Sequence, residues 1–255
     1  MKITSYNVNG VRSALNKGLG DWLRANPTDI LCLQETKAQR SDLPEEVFPE
    51  LGFPFAHWHS AQKKGYSGVA TFSKTAPDRV VTGCGIDVID AEGRILRTDF
   101  GDWTLLNCYF PSGTTGDTRQ AFKMVFLNDF SRWLDDLRKE RPNLIVLGDF
   151  NIAHTEMDIH DPKGNKNTSG FLPEERAWLT GWLQEGFVDT FRFCHPDRVE
   201  YSWWSFRANA RTNNKGWRID YQAVTQSLVP AVQGAGHDNN AVHSDHCPVW
   251  LELNL

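Results

Sequence analysis

No stretch of this chain approaches the roughly 18 unbroken apolar residues that a membrane helix needs, so no transmembrane segment is expected. The start, Met1-Lys2-Ile3-Thr4-Ser5-Tyr6, lacks the apolar centre and small-residue cleavage site of a secretory leader, which points to the cytoplasm. Cysteine is sparse. Cys32, Cys84, Cys108, Cys194 and Cys247 are odd in number, widely spaced, and never form a C-x-x-C pair. That excludes a disulfide framework and a zinc knuckle, and it fits a reducing compartment. Cys32 and Cys108 sit inside apolar runs, where a thiol behaves as a small core residue. An excess of positive charge is also missing. Against 32 Asp and Glu stand 27 Lys and Arg, a net charge of −5. The molecule as a whole is therefore not drawn to phosphates, and any nucleic-acid contact must come from a local patch. Internal repeats, low-complexity segments and Ser/Pro/Gly linkers are absent as well, so residues 1–255 are read as one domain.

What is present describes a folded enzyme or binding protein with 40% hydrophobic residues and 10 tryptophans. Lys2–Val8 alternates as a strand does, and Val11, Leu15, Trp22 and Leu23 give a helical face ended by Asn26-Pro27. Further strands are expected at 29–33, 67–72, 94–99, 103–109, 144–147, 201–206, 218–224 and 247–253. Helical spacing runs from Phe122 to Leu137, and again over 173–185, where Pro173 opens the first turn and Gly186 follows the end. Strands and helices are interspersed, so the class is α/β or α+β.

The strand ends carry the chemistry. Asn7 and Asn9 follow the first strand, Glu35 ends the second, and Tyr109 ends another. Asp149 and Asn151 close Ile145-Val146-Leu147-Gly148-Asp149-Phe150-Asn151, and Asp245-His246 precedes the last strand. Each piece alone has a bland reading as a turn, a surface carboxylate or a cap. Together they form a sheet edge able to hold a divalent cation and an activated water. A second concentration lies between Glu200 and Asp220, where no acidic residue occurs. There Arg207, Arg211, Lys215 and Arg218 alternate with Tyr201, Trp203, Trp204, Phe206 and Trp217. Such a basic-aromatic strip suits a nucleic-acid backbone with stacked bases or sugars, or else a core strand beside a solvated loop. Other patterns carry nothing: His243-x-x-His246 has no cysteine pair to complete a zinc site, and Gly18-x-Gly20 lacks a dinucleotide context.

Six blocks occur here in order: Ser5-Tyr6-Asn7-Val8-Asn9-Gly10-Val11-Arg12, Leu33-Gln34-Glu35-Thr36-Lys37, Gly65-Tyr66-Ser67-Gly68-Val69-Ala70, Gly148-Asp149-Phe150-Asn151, Gly216-Trp217-Arg218-Ile219-Asp220-Tyr221 and Ser244-Asp245-His246-Cys247-Pro248. The chain resembles the exonuclease III family of abasic-site DNA endonucleases over nearly its whole length. Gly-Asp-Phe-Asn and Ser-Asp-His are shared with the wider DNase I-like superfamily, whereas Gly-Trp-Arg-Ile-Asp-Tyr is narrower. The resemblance implies a four-layer α/β sandwich, two sheets face to face with helices outside and the active site at one end.

It also implies roles. Glu35 would be the main ligand of one Mg²⁺ (Mn²⁺ could replace it), with Asn7 and Asp245 near it directly or through water. Asp149 would orient and deprotonate the attacking water, and Asn151 would hold water or phosphate. Asp220 would accept a proton from one ring nitrogen of His246, whose other side would face a phosphate oxygen. Tyr109 would bond the phosphate or help the leaving oxygen. Trp203, Trp217 and Ile219 match an apolar pocket for a flipped-out abasic deoxyribose. Arg207, Arg211, Arg12, Lys63-Lys64 and the loop from Lys163 through Asn165 to Asn167 would meet phosphates. The implied partner is double-stranded DNA with abasic or blocked 3′ ends, bound by a monomer. Some positions depart from the family: Ser112 stands where Asn or Gln is usual, Arg207 and Thr115 where some members push Met and Arg into the duplex, and Gln222-Ala223 where the strand is usually more apolar. A phosphatase of the same superfamily acting on inositol phosphates or sphingomyelin, and an inactive nucleic-acid binder, are the competing readings. The first has no use for Trp203 and Trp217, and the second none for the intact acidic set.

Overall fold

The computed structural model describes all 255 residues. The chain opens with β1 (Lys2–Asn7), α1 (Val11–Asn16), α2 (Leu19–Ala25) and β2 (Ile30–Gln34). After α3 (Val47–Glu50) come β3 (Phe55–His59), β4 (Val69–Ser73), β5 (Arg79–Thr82), α4 (Asp87–Asp90), β6 (Ile95–Phe100) and β7 (Trp103–Tyr109). The long α5 (Asp117–Glu140) leads into β8 (Asn143–Asp149), and α6 (Pro173–Gln184) into β9 (Phe187–Asp189) and α7 (Thr190–Cys194). The last stretch holds β10 (Trp203–Trp204), β11 (Gly216–Trp217), β12 (Asp220–Thr225), β13 (Val232–His237) and β14 (Val249–Leu253). No helix is long and apolar enough to cross a membrane.

Two six-stranded sheets result, ordered β13-β14-β1-β2-β4-β3 and β5-β6-β7-β8-β12-β9, with β10 and β11 as a separate small ribbon. Each large sheet has one parallel pair at its centre, β1 with β2 and β7 with β8, flanked by antiparallel neighbours. The central strands are buried on both faces, and in β2 and β8 they read as unbroken apolar runs whose alternate residues serve different layers. In β8, Ile145 and Leu147 join Ile3, Cys32 and Leu251 between the sheets, while Leu144 and Val146 pack under α5 and α6. In β2, Cys32 points between the sheets, while Leu31 and Leu33 pack beneath α1 and α2. The layers are therefore helix, sheet, sheet, helix, as the resemblance implies.

The expected first helix is two. Gly18, at φ 92°, interrupts it, so α1 and α2 meet at an angle instead of continuing. The expected strand at 201–206 shortens to Trp203–Trp204, and that at 218–224 begins only at Asp220, with Arg218-Ile219 linking it to β11. The edge strands β3, β5, β9 and β13 had no counterpart in the sequence reading.

Candidate active site

Sheet topology gathers the strand ends. Parallel β1, β2, β7 and β8 all finish at one end of the sandwich, and this delivers Asn7, Glu35, Tyr109 and Asp149 to the same rim. Antiparallel β12 and β14 begin at that rim, bringing in Asp220, paired in register with Asp149, and His246. The backbone is strained where it leaves the strands. Asn9, Glu35, Lys37, Ser67 and Asn151 adopt left-handed φ near 50°, a conformation non-glycine residues rarely accept outside functional turns. Gly148 makes the last step of β8 possible: a Cβ there would lie 1.8 Å from the carbonyl oxygen of Cys108.

Hydrogen bonds lock the acidic set. Asn7 is fully buried, and its Nδ2 donates to Glu35 Oε1 at 3.0 Å and to Asp149 Oδ2 at 2.9 Å, while its oxygen accepts the N–H of Asn9. Asn7 thus stands beside Glu35, and its amide bridges the two carboxylates. Asp149 also accepts from the backbone N–H of Asn151 at 2.8 Å and from its side-chain amide at 3.2 Å. His246 sits between two aspartates, with Nδ1 2.8 Å from Asp220 Oδ2 and Nε2 3.8 Å from Asp149 Oδ2. Ser202 donates to the same Asp220 oxygen at 2.6 Å.

Burial opposes a charge on His246, but Asp220, then Asp149, outweigh it and push its pKa up to about 10. Burial first, then Asp220, raises Asp149 to about 7. Burial and the nearby carboxylate of Glu35 push the Tyr109 phenol well up, so it is a neutral donor. Burial works against ionisation of Glu35, yet Lys37, 2.8 Å from its Oε2, holds it below the usual range.

Glu35, Asp149 and His246 present atoms that all lie within 4.8 Å of one another. A charged imidazolium has no lone pair to give, so the donors left to a cation are carboxylate oxygens and water, the set a hard divalent ion such as Mg²⁺ prefers. The Lys37 ammonium on Glu35 marks where positive charge is accepted. Asp245 lines the same cleft as Glu35. Its Oδ1 accepts from Asn9 Nδ2 at 2.9 Å and its Oδ2 from Trp203 Nε1 at 3.0 Å, so it ties the end of β1 to the aromatic wall.

Beside the acidic set lies a cleft of about 260 Å³. Trp203 and Trp217 line it edge to face, 5.9 Å apart, with Ile219 next to them and Phe171 behind. Ser112, Thr114 and Ser169 bring hydroxyl groups to its lining. Arg207 is exposed near its rim strand. Arg211 is not a free phosphate contact: its guanidinium donates to the carbonyls of Ser244, Asn239 and Ala241, clamping the loop that carries Asp245 and His246. Arg218 leaves the basic strip altogether, buried against Asp158 and Asp189. Asn165 uses its amide on the carbonyls of His160 and Asp161, shaping its own turn. The sequence reading missed Lys37 and Ser202 as parts of the site. Lys37 was legible, two residues beyond Glu35 in a quoted block, whereas Ser202 had no local signal.

Two face-to-face sheets with an acidic, imidazole-bearing rim define a hydrolase of the endonuclease/exonuclease/phosphatase class, and the sequence profile described as Endonuclease/Exonuclease/phosphatase family matches residues 4–246. The chain is 41% identical over 99% of its length to the DNA repair nuclease APEX1 of Danio rerio, covering 82% of that protein. It is 40% identical to an exodeoxyribonuclease of Bacillus subtilis, each covered in full. Among solved structures, an AP endonuclease from Archaeoglobus fulgidus superposes with a TM-score of 0.91 at 30% identity, both chains fully covered. A 3′ phosphatase from Neisseria bound to product DNA hairpin gives 0.92 at 28% identity, again with full coverage. Within that class the chain belongs to the exonuclease III family of abasic-site endonucleases, and it is a hydrolytic nuclease of DNA repair.

Proposed function

We propose that this chain is a Mg²⁺-dependent class II abasic-site endonuclease, acting as a single-domain monomer in the cytoplasm. It cuts the phosphodiester bond 5′ of the lesion and leaves a 3′-hydroxyl and a 5′-deoxyribose phosphate. Removal of 3′-phosphates and other 3′ blocks, and some 3′→5′ exonuclease action, use the same site. The observation that carries this reading is the apolar Trp203–Trp217–Ile219 pocket set directly beside Asp149 and His246 in one cleft. A phosphatase of small polar substrates has no need of that wall, whereas a sugar without its base fits it and a normal nucleotide does not.

In this scheme Glu35 holds the cation, with Asn7 and Asp245 fixing its surroundings. The bound ion would act as a Lewis acid toward the leaving oxygen. Asp149, oriented by Asn7 and Asn151, takes the proton of a water whose oxygen attacks phosphorus. The P–O3′ bond breaks, and the 3′-oxygen of the upstream nucleotide ends as a hydroxyl. His246, kept charged by Asp220, donates to a non-bridging phosphate oxygen as negative charge grows there. Tyr109 donates to phosphate from the opposite side. Arg207 meets the DNA backbone, and Mn²⁺ can serve in place of Mg²⁺.

Incision of a duplex bearing one abasic analogue, with Mg²⁺ and then with EDTA, tests the proposal. Cutting in Mg²⁺ alone is expected. An intact duplex alongside turnover of an inositol phosphate or sphingomyelin would reverse it in favour of the phosphatase reading.

A further inference from the structure

Lys123 has no solvent exposure, lies on the inner face of α5, and has no part in the scheme above. Its ammonium donates to Glu175 Oε1 at 2.7 Å and to the carbonyl of Asn151 at 2.7 Å. Glu175, equally buried in the first turn of α6, accepts the N–H groups of Gly170 at 2.6 Å and Leu172 at 3.0 Å on its other oxygen. Gln120 Nε2 donates to Glu175 at 3.0 Å, and Gln120 accepts from Ser169 Oγ at 2.6 Å. One ion pair therefore grips, from behind, the loops that form both sides of the cleft.

Each grip falls at a position that has little freedom. Asn151 sits at φ 53° and both its backbone N–H and its amide donate to Asp149, so displacing Asn151 turns the carboxylate. Gly170, at φ 94°, lies so close to Trp217 that a Cβ would come within 2.9 Å of the indole. Moving Gly170 moves the pocket wall. Packing α5 against α6 does not demand charge, because a buried ion pair is often replaced by apolar side chains without loss of stability. Of the backbone bonds made by the charged groups, those to Asn151 and Gly170 go to the cleft lining, and the one to Leu172 caps the start of α6.

We infer that Lys123 and Glu175 are positioning residues for the reaction, fixing the spacing between the Asp149 side of the cleft and its aromatic wall. This inference rests on the abasic-endonuclease reading. The test compares wild type, the double variant Lys123→Met with Glu175→Met, and Glu175→Gln. In the last, an amide NH₂ must face either the ammonium or two backbone N–H groups, donor against donor. Glu175→Gln, which leaves the Lys123 ammonium buried without its counter-charge, is expected to lower Tm by several degrees and the double variant by less, while in both, assayed well below Tm, kcat for abasic incision falls about tenfold or more and KM changes little. The ratio of abasic incision to 3′-phosphate removal should fall as well. Variants with kcat within about twofold of wild type overturn the inference. So does a loss of kcat that disappears when both variants are assayed well below their Tm, which marks the pair as structural. If the double variant fails to fold, Glu175→Gln decides alone. A wild type that leaves the abasic duplex intact fails the functional reading instead, and the two failures are thereby distinguished.

Discussion

Replacing Arg218 by methionine tests how the strand carrying Trp217 and Ile219 is held. Arg218 is 1% exposed; its Nε donates to Asp158 Oδ1 at 2.7 Å, and its Nη2 lies 2.8 Å from Asp189 Oδ2. Arg192 reaches the same Asp158 oxygen at 2.6 Å. Burial works against ionisation of Asp158, but Arg218 and Arg192 hold its carboxyl far below the usual carboxylate range. Methionine keeps the stem and removes the charge, which leaves Asp189 without its cation and Asp158 with Arg192 alone. Removing one partner of a buried ion pair costs about 3–5 kcal/mol. For a chain of this size each kcal/mol moves Tm by about 2–4 °C, so a fall of roughly 6–20 °C is expected at neutral pH. The pH dependence has a definite sign. Because the folded pKa of Asp158 is depressed, its contribution is fully present above the unfolded value near about 4 and fades as pH drops toward the folded value. The gap between wild type and variant should therefore narrow below about pH 4. Calorimetry at neutral and acid pH reads both effects. A variant within about 2 °C of wild type at neutral pH, or a gap that widens on acidification, would refute the reasoning.

Two further outcomes follow from the site itself. Asp149→Asn keeps the side-chain size and, on its one oxygen, the bond from the Asn151 N–H, but it sets an NH₂ against the side-chain amides of Asn7 and Asn151 and removes the proton acceptor, so incision should vanish while DNA affinity in a gel-shift assay stays near wild type; surviving activity would mean another base. Trp217→Ala deletes the edge-to-face partner of Trp203 and opens the apolar wall. It should reduce abasic incision more than 3′-phosphate release, and equal losses in the two assays would remove the pocket assignment.

The central strands and the acidic rim were legible because they obey local rules. Strands such as Leu144–Leu147 are buried on both faces, and the polar residue that ends each run marks the rim. Edge strands were not legible. β13 contains two glycines, and Gly236 is required because the Trp250 ring lies where a Cβ would be, 2.7 Å away, a cross-strand contact made by β14 once the two strands pair. The basic strip misled for a similar reason. Arg218 counts as a surface charge until Asp158 and Asp189, remote in sequence, are folded against it. The same holds for Arg211, whose partners are backbone carbonyls of another loop. The left-handed turns at Glu35 and Lys37 also had no residue-type signal, since neither side chain favours that conformation.

The most direct measurement is the chemical identity of the ends made from a duplex with one natural abasic site. Metal-assisted hydrolysis beside His246 predicts, by mass spectrometry, a 3′-hydroxyl on one fragment and a 5′-deoxyribose phosphate on the other, formed with Mg²⁺ and absent with EDTA. A 3′-unsaturated sugar fragment that forms equally well in EDTA would contradict it.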